Sequence, residues 1–184
     1  MRPVRFILNG SPVVVERPDA LQTLSQWLRA SGRTGTKEGC AEGDCGACTV
    51  LLSDLDAKGA PCWRAVNSCI TLLPLVDGHE LKTVEGLEDE AGLHPVQAAL
   101  AQHHGSQCGY CTPGITAALA EAYESGAPAE PGALCGRLDG NLCRCTGYRP
   151  IREAGARAAL SGRRRSRPGG SDPPRAAPAA SPRA

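Results

Sequence analysis

The stretch KEGCAEGDCGACTV, residues 37–50, places three cysteines and three glycines close together in the chain. Glycine at this density disfavours a helix, and the segment is expected to be a long, tightly wound loop. The helical pattern ALQTLSQWLRASG (20–32) precedes it, and the strand pattern CTVLLS (48–53) follows it. The three thiols are therefore expected to project from one loop between a helix and a strand.

The spacing of the cysteines points to a particular kind of metal site. Cys40-x4-Cys45-x2-Cys48, followed by Cys69 after twenty intervening residues, is typical of plant-type [2Fe–2S] ferredoxins. Glycine allows such a loop to wrap closely and to aim backbone N–H groups at the sulfurs. A zinc site would also use four thiolates, but it usually has two Cys-x2-Cys pairs. The sequence predicts that these four cysteines are [2Fe–2S] ligands, with zinc as the alternative.

A second set of four cysteines lies further along the chain. Cys108 and Cys111 form a Cys-x2-Cys pair in GSQCGYCTPG, and Cys143 and Cys145 form a Cys-x-Cys pair in NLCRCTGYRP. Taken alone, this spacing leaves zinc and iron–sulfur ligation both open. Helical patterns surround both pairs, and pairs at the ends of different helices can meet in a bundle. We expect a helical hairpin to bring the two pairs together.

The hydrophobic pattern divides the chain into two ordered parts and a tail. The first part holds predicted strands at 4–8, 12–16, 48–53, 63–69 and 79–85, with a tight turn at Asn9-Gly10. The second holds predicted helices at 94–105, 112–126, 131–141 and 149–160. We predict an α+β fold with a domain at 1–88, a helical domain at 89–160 and a disordered tail at 161–184, which lacks large hydrophobic residues.

Composition limits the classes of function that need to be considered. The chain has 184 residues, of which only 3% are aromatic, so its core is expected to be thin. The net charge is +1 and the basic excess lies in the tail, which argues against nucleic acid as a partner. Neither a secretory signal nor a membrane-length apolar run is visible. We expect a cytoplasmic protein without a membrane partner, in which thiols bind metals or carry redox chemistry rather than form disulfides.

Three long motifs carry a specific family resemblance. They are TGTKEGCAEGDCGACTV, HPVQAALAQHHGSQCGYCTPG and GNLCRCTGYRPI. Together they resemble the iron–sulfur portion of the molybdenum hydroxylases, and within that family most resemble the small subunit of bacterial xanthine dehydrogenase. The resemblance runs from about residue 4 to residue 158. It implies a β-grasp ferredoxin-like domain followed by a four-helix bundle, each binding one [2Fe–2S] cluster.

The resemblance also implies partners and roles. In this family electrons leave a molybdopterin site on a large subunit, pass through the helical-domain cluster and then the ferredoxin-type cluster, and end on FAD. By motif position, the first of these clusters would be held by Cys108, Cys111, Cys143 and Cys145, and the second by Cys40, Cys45, Cys48 and Cys69. Gln107 matches the glutamine that contacts the pterin cofactor in the family.

The chain departs from the bacterial small subunits after the helical bundle. Those subunits continue into an FAD-binding domain, whereas this sequence changes to an Arg/Pro/Ala-rich tail and shows no dinucleotide-binding motif. A separate FAD polypeptide, a fragment and a shifted reading frame are three open explanations. We expect FAD, like molybdopterin, to be bound by a partner domain or subunit.

No arrangement typical of bond-making catalysis is visible in the sequence, so the chain is not expected to be catalytic alone. The predicted function is electron transfer within a xanthine dehydrogenase that oxidises hypoxanthine or xanthine. The alternatives are the same subunit of an aldehyde, carbon monoxide or N-heterocycle dehydrogenase and, in a different class, a zinc-stabilised interaction module. Cys62 and Cys135 are interpreted as small packing side chains.

Overall fold

The computed structural model describes residues 2–90, 92–130 and 132–163. The strands are β1 (Val4–Leu8), β2 (Ser11–Val15), β3 (Thr49–Leu55), β4 (Pro61–Asn67) and β5 (Glu80–Lys82). The helices are α1 (Leu24–Ala30), α2 (Pro95–Gln102), α3 (Thr112–Glu124), α4 (Cys135–Leu138) and α5 (Arg149–Arg163). Short 3-10 helices occur at Leu73–Val76 and Val84–Gly86.

The first half of the chain is a mixed five-stranded sheet with one helix across it. The strand order is β2-β1-β5-β3-β4, in which β1 and β5 are parallel and the other neighbours are antiparallel. Every second side chain of β1 is buried, as expected for a strand with one face on a core. The core of this half consists of Val4, Phe6, Leu8, Leu24, Leu28, Val50, Leu73, Val76 and Leu81.

The second half is a bundle of the four helices α2 to α5. Leu100, Ile115, Leu119, Leu134 and Ile151 are among the buried residues of its core. Pro95 opens α2 and Pro113 lies in the first turn of α3, where a missing N–H costs nothing. The loops between these helices carry the second cysteine set.

Helix α3 joins the two halves because it packs on both of them. Its alanines Ala117 and Ala120 contact Leu51 and Trp63 of the sheet, whereas Leu119 faces the bundle. Small side chains let the helix approach the sheet closely, so the two halves share an apolar interface. This interface fixes the position of the second cysteine set relative to the first.

The predicted α+β class, with a β-grasp ferredoxin-like half followed by four helices, is confirmed. The elements differ from the prediction mainly at their ends. The predicted strand 79–85 is shorter, because the chain turns into a 3-10 helix at Val84–Gly86, and the predicted helix 131–141 is one turn, Cys135–Leu138. Helix α5 continues to Arg163, and the predicted tail beyond it lies outside the described residues.

Candidate metal centres

The first cysteine set is organised by the loop between α1 and β3. Ala41, Gly43 and Gly46 have φ values of 60°, 86° and 65°, which place them in the left-handed region. A residue with a φ value in this region turns the backbone sharply, and glycine adopts such values without a steric penalty. The side chain of Asn67 donates a hydrogen bond to the carbonyl oxygen of Gly43 at 2.8 Å and so ties the loop to β4.

Cys40 lies where the loop turns its backbone N–H groups inwards. Its Sγ atom accepts hydrogen bonds from the backbone N–H groups of Asp44 and Cys45, both at 3.3 Å. The backbone N–H of Glu42 has the largest effect on this thiol, and together with that of Cys45 it lowers the pKa of Cys40 to about 7. The thiolate, which is the metal-binding form, is therefore accessible near neutral pH.

Cys69 follows β4 and lies beside Cys48, and both side chains are buried. The Ser68 hydroxyl donates to the carbonyl oxygen of Cys48 at 2.7 Å, which holds the two segments together. Burial, and next the neighbouring Cys48 thiol, raise the pKa of Cys69 to about 12. We expect this thiol to lose its proton only when a metal binds, as is usual for buried cysteine ligands.

The second set is assembled from the two predicted pairs. Cys108 lies between α2 and α3, Cys111 is the residue that precedes α3, and Cys143 and Cys145 lie between α4 and α5. Cys143 is buried, whereas Cys108 and Cys145 are exposed. One end of this set therefore reaches into the bundle and the other end reaches the protein surface.

Hydrogen bonds fix the buried end of the second set. The Thr146 hydroxyl lies 3.1 Å from Cys143 Sγ, and it also accepts the backbone N–H of Tyr148 at 3.1 Å. Burial acts to raise the pKa of Cys143, but hydrogen bonds from the side chain and backbone of Thr146, together with those from Cys111 and Cys145, outweigh burial and lower the pKa. Burial, followed by the Cys143 thiol, raises the pKa of Cys111 to about 12.

Within each set the thiols interact most strongly in pairs, and weaker charge interactions connect one pair with the other. The pairs are Cys40 with Cys45, Cys48 with Cys69, Cys111 with Cys143, and Cys108 with Cys145. In the described part of the chain, no three His, Cys, Asp or Glu side chains are grouped closely enough to hold one metal ion. Four thiolates on one tetrahedral ion, with bonds of about 2.3 Å, would all lie within about 4 Å of one another. Two irons with one pair each fit this arrangement better than a single zinc ion does.

The two cysteine sets lie next to each other in the fold. A cavity of about 370 Å³ lies between them and is lined by Cys40, Cys45, Cys108, Cys111 and Cys145, among others. Backbone contacts connect the same segments, since the N–H of Leu142 donates to the carbonyl oxygen of Cys45 at 2.9 Å. Tyr110 also donates a hydrogen bond from its hydroxyl to the carbonyl oxygen of Glu38. The fold therefore brings two predicted cluster sites into direct contact.

The remaining predicted residues lie around these sets. Gln107 is exposed next to Cys108, at the surface end of the second set. Cys62 lies in β4 and Cys135 begins α4, so both are outside the two sets. The sequence pattern does not single out Asn141 or Thr146, although both lie in the motif GNLCRCTGYRPI. Their roles depend on hydrogen bonds to other segments, which spacing alone does not show.

Two family matches cover most of the described chain. Residues 6–73 match the family described as "2Fe-2S iron-sulfur cluster binding domain". Residues 83–156 match the family described as "[2Fe-2S] binding domain". Each range contains one of the two cysteine sets, so the pairs found in the structure coincide with two [2Fe–2S] families.

Curated relatives match the chain over a small part of their own length. Xanthine dehydrogenase of Emericella nidulans is 46% identical over 152 residues, which are 82% of this chain and 11% of that protein. Xanthine dehydrogenase 1 of Arabidopsis thaliana is 49% identical over 151 residues, again 11% of that protein. The chain thus spans about 11% of the length of these relatives. In the part of the chain that is described, no helix has the length and apolar character to span a membrane.

Solved structures of enzymes named for other substrates are also similar to this chain. A chain of quinoline 2-oxidoreductase from Pseudomonas putida 86 is 38% identical with a TM-score of 0.71, and the match covers 88% of this chain and 96% of that one. Aldehyde oxidoreductase from Desulfovibrio gigas is 33% identical with a TM-score of 0.76, over 89% of this chain and 18% of that one. The protein therefore belongs to the family of two-domain [2Fe–2S] iron–sulfur components of the molybdenum hydroxylases.

Proposed function

We propose that this chain is the electron-transfer component of a molybdenum hydroxylase, with its two cysteine sets as the ligands of two [2Fe–2S] clusters. The observation that carries the proposal is the arrangement of eight thiols as four pairs, in two sets connected by backbone contact. A [2Fe–2S] cluster supplies one-electron storage and transfer. The chain supplies the ligands, the hydrogen bonds that adjust their electron density, and a fixed separation between the two sets.

The exposure of the two sets supports a direction for electron flow. Cys108 and Cys145 reach the surface beside Gln107, which suits contact with a pterin cofactor held by a molybdopterin-binding large subunit. Electrons would enter at this set and continue to the set of Cys40 and Cys45. They would leave to FAD on a partner domain or subunit. In this proposal residues 1–88 and residues 89–160 are separate domains, and each domain binds one cluster.

The substrate of the whole enzyme is proposed from its relatives. The curated relatives named above are xanthine dehydrogenases, which favours oxidation of hypoxanthine or xanthine in the cytoplasm. The quinoline 2-oxidoreductase chain matched over 96% of its length makes an N-heterocycle dehydrogenase the second candidate. An enzyme complex isolated through this chain and assayed with xanthine and with quinoline would separate these candidates.

The cluster content of the chain tests the central proposal. We expect about four irons and four acid-labile sulfides per chain in anaerobically purified protein, since each [2Fe–2S] cluster has two of each. Reduction with dithionite is expected to give two distinct EPR signals. About two irons with one signal would mean that one set is not a cluster site. Zinc without iron would support the zinc-stabilised module instead and would exclude electron transfer by this chain.

A further inference from the structure

A second cavity, of about 430 Å³, lies between α4 and the start of α5. Its volume is within the range of about 300–1,000 Å³ that is usual for small-molecule sites. Asp139 and Gly147 at its wall are exposed, so the cavity opens to solvent. Among the described residues that line it, none belongs to the two cysteine sets. They are Cys135, Leu138, Asp139, Gly147, Tyr148 and Arg152.

A cysteine and an arginine meet at the wall of this cavity. Cys135 is the first residue of α4, is half-buried and carries a reduced thiol. Arg152 lies in the first turn of α5, and its Nη1 donates a hydrogen bond to Cys135 Sγ at 3.4 Å. A fixed cation beside a sulfur atom stabilises the negative charge that the sulfur carries while it reacts. The pair therefore suits a thiol that acts as a nucleophile.

The charge of Arg152 is not balanced by a neighbouring carboxylate. In the part of the chain that the structure describes, no acidic side chain forms an ion pair with it. Its Nε atom is buried and has no hydrogen-bond partner in this part either. A guanidinium group that has lost water without gaining a partner is stabilised by an anion, and carboxylate fits its planar donors well. The cavity therefore favours a ligand that carries a carboxylate group.

The remaining lining residues restrict the ligand further. Asp139 places a negative charge at the same cavity, which suits an ammonium group on the ligand. Tyr148 contributes an aromatic wall, because its hydroxyl is already bonded to the N–H of Cys143 at 2.7 Å and to the carbonyl oxygen of Asn141 at 3.0 Å. A small molecule with a carboxylate, an ammonium group and a sulfur atom matches the whole set of lining groups.

We propose that this cavity is a modification site, at which Cys135 forms a mixed disulfide with a small aminothiol that carries a carboxylate. The co-reactant is the disulfide of that aminothiol. Cys135 Sγ, as the thiolate, attacks one sulfur and forms the new S–S bond, while the old S–S bond breaks and its electron pair leaves with the other sulfur. Cys135 is thereby oxidised, and the released half is reduced and takes up the proton that Cys135 lost. Arg152 binds the carboxylate of the bound half, and Asp139 binds its ammonium group.

Two disulfides of different charge test the site. Oxidised glutathione and cystamine both carry ammonium groups, but only glutathione carries carboxylates. Anaerobically purified protein is treated with each, the remaining thiols are alkylated, and peptide mass spectrometry gives the rate at each cysteine. Cys62 is the internal control, since it is also half-buried and outside the two sets but lies in β4, away from this cavity. We expect oxidised glutathione to modify Cys135 several-fold faster than Cys62, and to be preferred over cystamine at Cys135 alone.

Substitutions in the cavity test how the ligand is recognised. Arg152→Gln is expected to remove the preference for oxidised glutathione over cystamine, and Asp139→Asn to slow both reagents. Arg149→Gln is the matched control, because Arg149 is exposed on the same helix and does not line the cavity, and it should keep the wild-type preference. Equal rates at Cys135 and Cys62 in the wild-type protein, or the same preference at both, would overturn the proposal without any variant. An unchanged preference in Arg152→Gln protein with wild-type circular dichroism would overturn it as well.

Discussion

The two sets differ in which groups donate hydrogen bonds to their sulfur atoms. Cys40 Sγ accepts hydrogen bonds from backbone N–H groups, which the exchange of one side chain for another does not remove. Cys143 Sγ also receives backbone hydrogen bonds, but in addition it contacts a side-chain hydroxyl, that of Thr146 at 3.1 Å. Because the Thr146 oxygen already accepts the N–H of Tyr148, its proton is free to point at the sulfur. Hydrogen bonds to cluster sulfurs stabilise the reduced, more negative form and raise the reduction potential.

Replacement of Thr146 with valine tests this contact. Thr146→Val keeps the shape of the side chain but removes the hydroxyl, so we expect the potential of the second cluster to fall by roughly tens of millivolts. The potential of the first cluster should stay the same. Redox titration followed by EPR measures both values in one sample. Thr146→Ser, which keeps the hydroxyl, is the control and should restore the wild-type potential. Equal potentials in Thr146→Val and wild type would mean that this hydroxyl does not donate to the sulfur.

At the scale of the elements, helix α3 sets the distance between the two halves. Its first turn holds Gly114, where an added Cβ would overlap the carbonyl oxygen of Gly46 in the cluster loop. The helix then continues with alanines along its contact with the sheet. The start of the helix and its buried face therefore both depend on side chains that are small or absent.

Gly114→Ala is expected to destabilise the folded protein by about 2 kcal/mol, because the new methyl group must push backbone atoms apart. Urea unfolding followed by circular dichroism measures this change. Gly136→Ala is a suitable control, since Gly136 lies in α4 and the nearest atom to an added Cβ, on Asp139, is 4.0 Å away. There alanine should be neutral or slightly stabilising, as helix propensity favours it over glycine. A Gly114→Ala protein as stable as Gly136→Ala would show that the loop can move away from the helix.

Comparison of the sequence with the elements shows which features are encoded locally. The turn at Asn9-Gly10 and the loop at 37–50 were predictable, because their glycines and spacing act within a few residues. The contact of Asn141 with Gly46 was not, since it joins residues far apart in the chain, and a lone asparagine gives no signal of its partner. Tyr148, with φ at 65°, has a left-handed conformation that its residue type disfavours, and hydrogen bonds of its hydroxyl and of its backbone N–H hold it there.

At the scale of the whole molecule, the question is whether the two halves bind their clusters independently. The shared interface of α3 and the sheet couples their positions, but each set takes all four cysteines from its own half. Ligand removal from one set should therefore leave the other set complete. The backbone contact between Cys45 and Leu142 does not depend on the Cys45 sulfur and should persist when that sulfur is replaced.

The variants Cys45→Ser and Cys145→Ser test this independence as a matched pair, since each removes one thiolate from a different set. We expect each variant to keep about two irons per chain and one EPR signal, because one [2Fe–2S] cluster remains fully ligated. The signal that remains should differ between the two variants, and the two together should account for the wild-type spectrum. Iron analysis and EPR after dithionite reduction measure both quantities. Loss of all iron in Cys45→Ser would contradict independent binding and would mean that the helical half needs the first cluster to hold its own.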